Sequence, residues 1–295
     1  MGKFYTIFLL VVMHIPALAQ KEDTTGINSK RLRLVLIGAG AGYGISLIAL
    51  NNAWYKDQDR SDFHFFNDCG QWNQIDKLGH FYNAYQISRI GKQMFLWTNM
   101  PEKKSAIWGA VMSQAMMIPI EILDGFSSEY GFSWCDIFAN MAGAGLFLTQ
   151  ELIWQKQLVK SKLSFHTTPY AEKRPEVLGE TYLEQLLKDY NGHTFWLSFD
   201  MHGILKKENN FPKWLNPTLG YGADGMVYGR ESENNMHGYE SYRQYFLSID
   251  FDLSYINTKK KGIRTLLFFV DMIKIPAPAL EFNKKHGAKL HWIYF

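Results

Sequence analysis

The sequence has little cysteine and little charge. Of its 295 residues two are Cys, 20% are charged, and the formal net charge is only +3 at pH 7. Because no concentrated basic tract is present, we expect no nucleic-acid partner. The chain also lacks a paired H-x-x-x-H spacing and a Ser or Cys nucleophile beside its candidate histidine, which argues against a metalloprotease or nucleophilic enzyme. We therefore expect no cofactor.

Apolar and aromatic residues are abundant instead. They make up 47% and 16% of the chain respectively, yet the mean hydropathy is −0.20, below that of most polytopic membrane proteins. An aromatic-rich chain with few charges is typical of a lipid interface or of the cell envelope. We expect membrane or envelope lipid or glycan as the partner.

The first residues predict export. Lys3 is followed by an apolar run from Phe4 to Val12, and Ala17-Leu-Ala19 is typical of a signal-peptidase site. Residues 1–19 are therefore interpreted as a signal peptide, with an uncleaved membrane helix as the open alternative. No Cys follows the apolar run, so a lipid-anchored N-terminus is not predicted. The expected location is the periplasm or a membrane of a Gram-negative envelope.

The two cysteines, Cys69 and Cys135, have two possible fates in that compartment. They can pair as a disulfide in an oxidising periplasm, or remain as two buried thiols. The sequence leaves both alternatives open.

The hydrophobic pattern predicts a mainly α protein. About four apolar helices, at 32–55, 74–97, 103–123 and 133–154, form a helical bundle domain over 32–156. Ser133 is expected to cap the fourth helix. A linker with a short helix follows over 157–188. Residues 189–295 are expected to form a smaller C-terminal α+β region, because Tyr245–Tyr255 alternates strictly between apolar and polar residues.

Polar residues gather on the second, third and fourth apolar helices. An unpaired buried charge costs several kcal/mol, so these side chains must meet one another or a ligand. We therefore predict one buried polar cluster, composed of Asp76, Lys77, His80, Asn83, Glu121, Asp124, Asp136 and Asn140.

Three interpretations of this cluster compete. It can be purely structural, with ion pairs and a helix cap. It can be a metal or acid–base site, for which the candidate ligands are His80, Glu121, Asp124 and Asp136. It can also recognise the headgroup of an amphiphile or glycan, with Lys77 meeting an anion. We favour a non-enzymatic envelope protein whose bundle engages a lipid-like or cell-wall ligand or a partner; the alternative is a membrane-associated hydrolase that uses the Asp/His/Glu cluster.

Two groups of proteins share these motifs. The order Asp76-Lys77-x-x-His80-Phe81, then Glu121, then Asp136-x-x-x-Asn140-x-x-Gly143 resembles the VanZ-like membrane family. Glu121-x-x-Asp124-Gly125 followed by Gly131-Phe-Ser-Trp-x-Asp136 is similar to the YfiM-like predicted periplasmic lipoproteins, a domain of unknown function. The resemblance covers about residues 32–155 and implies a VanZ-like arrangement of helices. Residues 189–295 look like an extension found in Bacteroidetes members.

Overall fold

The computed structural model describes residues 26–51, 59–205 and 210–295. The predicted signal peptide, residues 1–19, lies outside the described residues. The chain divides into two compact units. Among the described residues, the helical unit comprises those up to Asp68 together with Asn83–Lys156 and Lys260–Thr265, and the sheet unit comprises those of Cys69–Tyr82, Gln157–Lys259 and Leu266–Phe295.

Four long helices lie where the hydrophobic pattern predicted them. They are α1 (Ser29–Leu50), α2 (Ile75–Trp97), α3 (Glu102–Asp124) and α4 (Trp134–Ile153). The boundary between the two units falls within α2. The predicted fold class, a bundle of apolar helices followed by a β-containing region, is confirmed.

Side-chain caps fix where two of these helices begin. Asn28 accepts a hydrogen bond from the backbone N–H of Arg31 at 3.0 Å, at the start of α1. Ser133 accepts one from the N–H of Asp136 at 3.2 Å, so the predicted cap of α4 is confirmed. Such a cap satisfies an N–H that has no partner within the helix, which stabilises the helix by about 1 kcal/mol.

Glycines allow α2 and α3 to pack closely within the helical unit. A Cβ atom on Gly109 would lie 2.6 Å from both the backbone N of Lys92 and the backbone O of Ser88. The hydroxyl of Ser113 donates to the carbonyl of Ala84 at 2.8 Å across the same contact. Backbones in such close contact require small residues on both helices, as in membrane helix pairs.

A six-stranded antiparallel sheet dominates the sheet unit. Each strand pairs with the next in the chain, in the order β1 to β6. The strands are β1 (Val159–Phe165), β2 (His193–Phe199), β3 (Leu215–Asp224), β4 (Tyr242–Phe251), β5 (Ala277–Asn283) and β6 (Gly287–Tyr294).

The structure corrects the predicted linker. Residues 159–165, assigned to the linker over 157–188, form β1 instead. Their sequence, VKSKLSF, is rich in polar residues, but its Lys and Ser side chains are buried rather than solvated. The predicted linker is therefore wrong over these residues.

Short helices connect the strands. The predicted short helix of the linker is present as α6 (Tyr182–Lys188), after a single turn, α5 (Pro175–Leu178). The others are α7 (Met201–Ile204), α8 (Glu231–Met236) and α9 (Lys261–Val270). Within the sheet unit, the first turns of α2 pack on the sheet, where Ile75 joins Phe195, Ala223 and Met226 in one buried cluster.

Candidate functional site

The start of α2 presents a compact ionic group in the sheet unit. The carboxylate of Asp76 accepts hydrogen bonds from Lys77 Nζ at 2.8 Å and from Tyr190 Oη at 2.7 Å. His80 lies one helical turn later, with its Nε2 4.0 Å from Asp76 Oδ1. All three charged side chains are at least four-fifths buried. Asp76, Lys77 and His80 therefore share one helix surface, as their spacing predicted.

The backbone that leads into this group has an unusual conformation. Trp72, Asn73 and Gln74 have φ angles of 49°, 47° and 67°, in the left-handed region that residues other than Gly seldom adopt. Three hydrogen bonds hold them: from Trp72 N to Gly229 O (2.7 Å), from Tyr221 Oη to Asn73 O (2.6 Å) and from Arg243 to Gln74 Oε1 (2.9 Å). Strained backbone held by tertiary contacts is typical of positions next to a functional site.

Opposing effects set the ionisation of Asp76. Burial by itself raises the pKa of the carboxyl, but the charges of His80 and Lys77 and the hydrogen bonds from Lys77 and Tyr190 outweigh it. The net result is a pKa below the usual 3.8. Asp76 is therefore an anion at every physiological pH, and it can orient a cation such as the Lys77 ammonium group.

Replacing Asp76 with Asn should make the protein less stable at neutral pH, by about 1–3 kcal/mol, because charge-assisted hydrogen bonds are lost. A carboxyl whose folded pKa is depressed stabilises the fold above its unfolded pKa, and this contribution disappears as the pH falls through the folded value. The difference between the wild type and Asp76→Asn should therefore shrink below pH 3.8. Urea unfolding at pH 7 and across the acid range measures it. A difference that stays constant with pH would contradict the assigned ionisation.

The remaining predicted cluster residues belong to the helical unit. Glu121 on α3 and both Asp136 and Asn140 on α4 are buried. The amide of Gln114 on α3 donates to the backbone carbonyl of Asn140 on α4 at 3.1 Å. Asp124 is half-buried at the end of α3. Asn83 is exposed, which contradicts its predicted place in a buried cluster, since it lies on the outer surface of α2.

The predicted single cluster thus has members in both units. Asp76, Lys77 and His80 belong to the sheet unit, whereas Glu121, Asp124, Asp136 and Asn140 belong to the helical unit. That the two sets meet, and that His80, Glu121, Asp124 and Asp136 serve as ligands, stays a prediction. Neither Cys69 nor Cys135 is a free thiol, because both are disulfide-bonded.

The sequence analysis missed a second ionic group, which we call the Lys/Asp network. Lys160 on β1 lies 2.6 Å from Asp252 and 3.3 Å from Asp271, and Lys162 lies 2.6 Å from Asp250 and 3.2 Å from Asp271. All five side chains are buried on one face of the sheet. The signal was available, because Lys alternates on β1 and Asp alternates at the end of β4.

Lys274 extends the Lys/Asp network. Its Nζ lies 4.7 Å from the centre of the Trp196 ring and donates to the carbonyl of Ile275 at 3.0 Å. Burial lowers the pKa of its ammonium group to about 8, even though Asp250 acts in the opposite direction. Three lysines and three aspartates thus balance in charge inside the sheet unit.

The comparisons with known proteins find one family to which a segment of the chain is similar. Residues 62–150 match the family model "Predicted periplasmic lipoprotein (DUF2279)". The matched segment contains every predicted cluster residue and both cysteines, from Cys69 to Asn140. No curated protein and no solved structure matches the chain.

The description of this DUF2279 family agrees with the predicted location. It names the periplasm, so the predicted export to the cell envelope is confirmed. Its name states no ligand and no reaction. The narrower resemblance to YfiM-like and VanZ-like proteins stays a prediction.

Proposed function

We propose that this chain is a non-enzymatic envelope protein whose helical unit lies in membrane lipid. The observation that carries the proposal is the polarity of its helices, which is opposite to that of a soluble bundle. Several exposed side chains on α4 are large and apolar: Phe138 and Ile153 are each 63% exposed and Met141 is 57% exposed. On the same helix Asp136, Asn140, Gln150 and Glu151 are buried.

The third helix repeats this arrangement. On α3, Trp108, Val111 and Ile122 are exposed, whereas Ser105, Ser113 and Glu121 are buried. Water does not favour exposed large apolar side chains beside buried polar ones, but a bilayer does, because polar groups in lipid must find partners inside the protein. The exposed apolar surfaces of α3 and α4 are therefore suited to contact with lipid.

Helix length supports the same proposal without deciding it. Ser29–Ile48 and Glu102–Asp124 are both long and apolar enough to cross a membrane. The core helix of a soluble protein can pass the same test, but such a helix is mostly buried, whereas only 33% of the apolar window of Glu102–Asp124 is buried.

The alternative, a hydrolase that uses Asp76 and His80, has weaker support. The 4.0 Å between His80 Nε2 and Asp76 Oδ1 exceeds the distance of a hydrogen bond that would orient a general base. Within the sheet unit the carboxylate of Asp76 is instead engaged by Lys77 and Tyr190. These contacts suit a structural or binding role.

Membrane extraction tests the proposal. The full chain, produced with its N-terminal segment in a Gram-negative host, should stay with the membrane pellet after alkaline carbonate and dissolve in detergent. A variant with Phe138→Lys and Met141→Lys should be extracted by carbonate more readily than the wild type, whereas one with Phe138→Leu and Met141→Leu should be retained as well as the wild type. Release of the wild-type chain by carbonate would contradict lipid insertion.

A further inference from the structure

The sheet unit carries a second surface with inverted polarity, beside the part of the sheet on which Ile75 of α2 packs. Side chains alternate between the two faces of a strand, and in an antiparallel sheet the outward face is normally polar. Here most outward positions of β3 and β4 are apolar, and several inward ones are polar. The exposed residues are Pro217, Leu219, Tyr245, Leu247 and Ile249, with Arg243 at one end of β4, and the buried ones include Asn216, Thr218, Phe246 and Asp250.

A row of leucines crosses this outer face. Successive register pairs join one leucine from each of five neighbouring strands: Leu197, Leu219, Leu247, Leu280 and Leu290. Three of them are about half exposed, Leu219 at 49%, Leu247 at 48% and Leu290 at 54%. A contiguous apolar patch of this kind marks a surface that is covered in the cell.

Aromatic pairs border the leucine row along the strands. On one side the rings of Tyr221 and Tyr245 meet edge to face, with centroids 5.4 Å apart. On the other side Trp214 stacks on Phe251 at 5.8 Å. Tyr221 pairs with Tyr245 and Leu215 pairs with Phe251 in the strand register. These two pairs lie six residues apart along β3, which is a strand length of about 20 Å.

These dimensions match a membrane. A β-strand that crosses a bilayer needs about 9–11 residues, and β3 and β4 have ten each. Membrane β-proteins have an apolar outward band about 25 Å tall between two rows of aromatic residues, with polar side chains on the inner face. Here the inner face buries the Lys/Asp network and the outer face presents leucine between aromatic pairs.

The outer edge of β1 is partly covered. The N–H of Leu163 donates to the carbonyl of Met272 at 3.2 Å, and the N–H of Lys274 donates to the carbonyl of Leu163 at 2.9 Å. Satisfied backbone groups are required wherever a sheet meets lipid. The segment Met272–Lys274 supplies two such hydrogen bonds at this edge.

We propose that the outer face of β2–β6, centred on the leucine row, binds the acyl chains of a bilayer. A protein partner would be expected to meet hydrogen-bonding groups within the patch. The leucine side chains offer none. The two aromatic pairs that border the row are separated by about 20 Å along the strands, close to the height of the apolar band of membrane β-proteins. The sheet unit is thus a membrane-binding element in its own right.

Site-directed fluorescence tests this proposal on the full chain. Because both native cysteines are disulfide-bonded, Leu247→Cys supplies the single reactive thiol for an environment-sensitive dye, and Leu219→Cys is a second reporter on the same row. Glu172→Cys, at an exposed polar turn, is the matched control. Each labelled protein is reconstituted into vesicles of phosphatidylethanolamine and phosphatidylglycerol. It is then quenched with doxyl-labelled acyl chains and, separately, with aqueous iodide.

We expect the dye at Leu247 and at Leu219 to shift to the blue and to be quenched by the doxyl chains but not by iodide. The dye at Glu172 should show the reverse. Quenching of the Leu247 dye by iodide would overturn the proposal, since the face would then lie in water. Protection from both quenchers would also overturn it, because a second copy or another protein would then cover the face.

A label at Phe138→Cys separates this proposal from the proposed function. If the Phe138 dye is quenched by lipid and the Leu247 dye is not, the sheet proposal fails and the helical one stands. If the doxyl chains quench the Leu247 dye and iodide quenches the Phe138 dye, the helical proposal fails and the sheet proposal stands.

Discussion

Replacing Asp250 with alanine is expected to destabilise the protein by about 3–5 kcal/mol, because it removes the nearer of the two carboxylates that neutralise the buried Lys162 ammonium group and leaves the network with an excess of positive charge. The Asp250 carboxylate lies 2.6 Å from Lys162 Nζ, and neither side chain has any exposed area. It also accepts hydrogen bonds from Ser198 Oγ at 3.0 Å and from the backbone N–H of Ile275 at 3.3 Å. Urea unfolding of the full chain at pH 7 measures the change in free energy.

A charge-balanced double variant is the control for this prediction. Lys162→Met with Asp250→Leu removes both charges and keeps the side-chain volume close to the original. Replacing a buried ion pair with apolar residues is often neutral or stabilising, so the double variant should recover most of the stability lost by Asp250→Ala. If Asp250→Ala alone proves as stable as the wild type, the Lys/Asp network is not buried as described.

The elements predicted correctly are those whose signal is local. The four long helices follow from apolar runs of the right length, and the start of α4 follows from Ser133, whose hydroxyl lies next to the N–H that it caps. The strand around Tyr245 follows from the strict alternation of Tyr245–Tyr255, although the strand ends at Phe251 and Leu253–Tyr255 form a 3-10 helix instead. Each of these signals lies within a few residues, so no knowledge of the rest of the fold is needed to detect it.

The wrongly predicted linker has a physical cause, the expectation that a polar segment faces water, whereas Asn83 is the opposite case of a polar residue predicted as buried that is exposed. The polar composition of the segment and its Pro169 and Pro175 predict a linker that includes Lys160 and Lys162. In the structure their partners come from β4 and from Asp271, about a hundred residues away in the chain. The leucine row could not be predicted either, because the five leucines align only when the register of the five strands is known.

In the candidate site, too, the sequence predicts which residues are buried but not which residues contact them. Burial of Glu121, Asp136 and Asn140 could be predicted because each lies among apolar neighbours on its helix. The partner of Asp76 in the sheet unit could not, because Tyr190 is 114 residues away and carries no charge. Local sequence therefore shows which polar residues must be satisfied, whereas the tertiary fold decides what satisfies them.

The ion pair between Lys92 and Glu151 gives the second large expected effect. It joins α2 to α4 inside the helical unit, with Nζ and Oε2 2.5 Å apart and both residues more than nine-tenths buried. Glu151→Ala should destabilise the helical unit by about 3–5 kcal/mol, since it leaves the Lys92 ammonium group buried without its carboxylate. Thermal unfolding followed by helical circular dichroism in detergent micelles measures the loss.

This pair also tests the environment of the helical unit. In lipid no water can reach Lys92 to replace the lost carboxylate, so the penalty should persist at high salt, which screens only exposed charges. The double variant Lys92→Met with Glu151→Met should restore the unfolding temperature, because it leaves no unpaired charge. A penalty that high salt abolishes would show that water reaches the pair. The helical unit could then not be embedded in lipid as we propose. Another protein would have to bind the exposed apolar side chains of α3 and α4 instead.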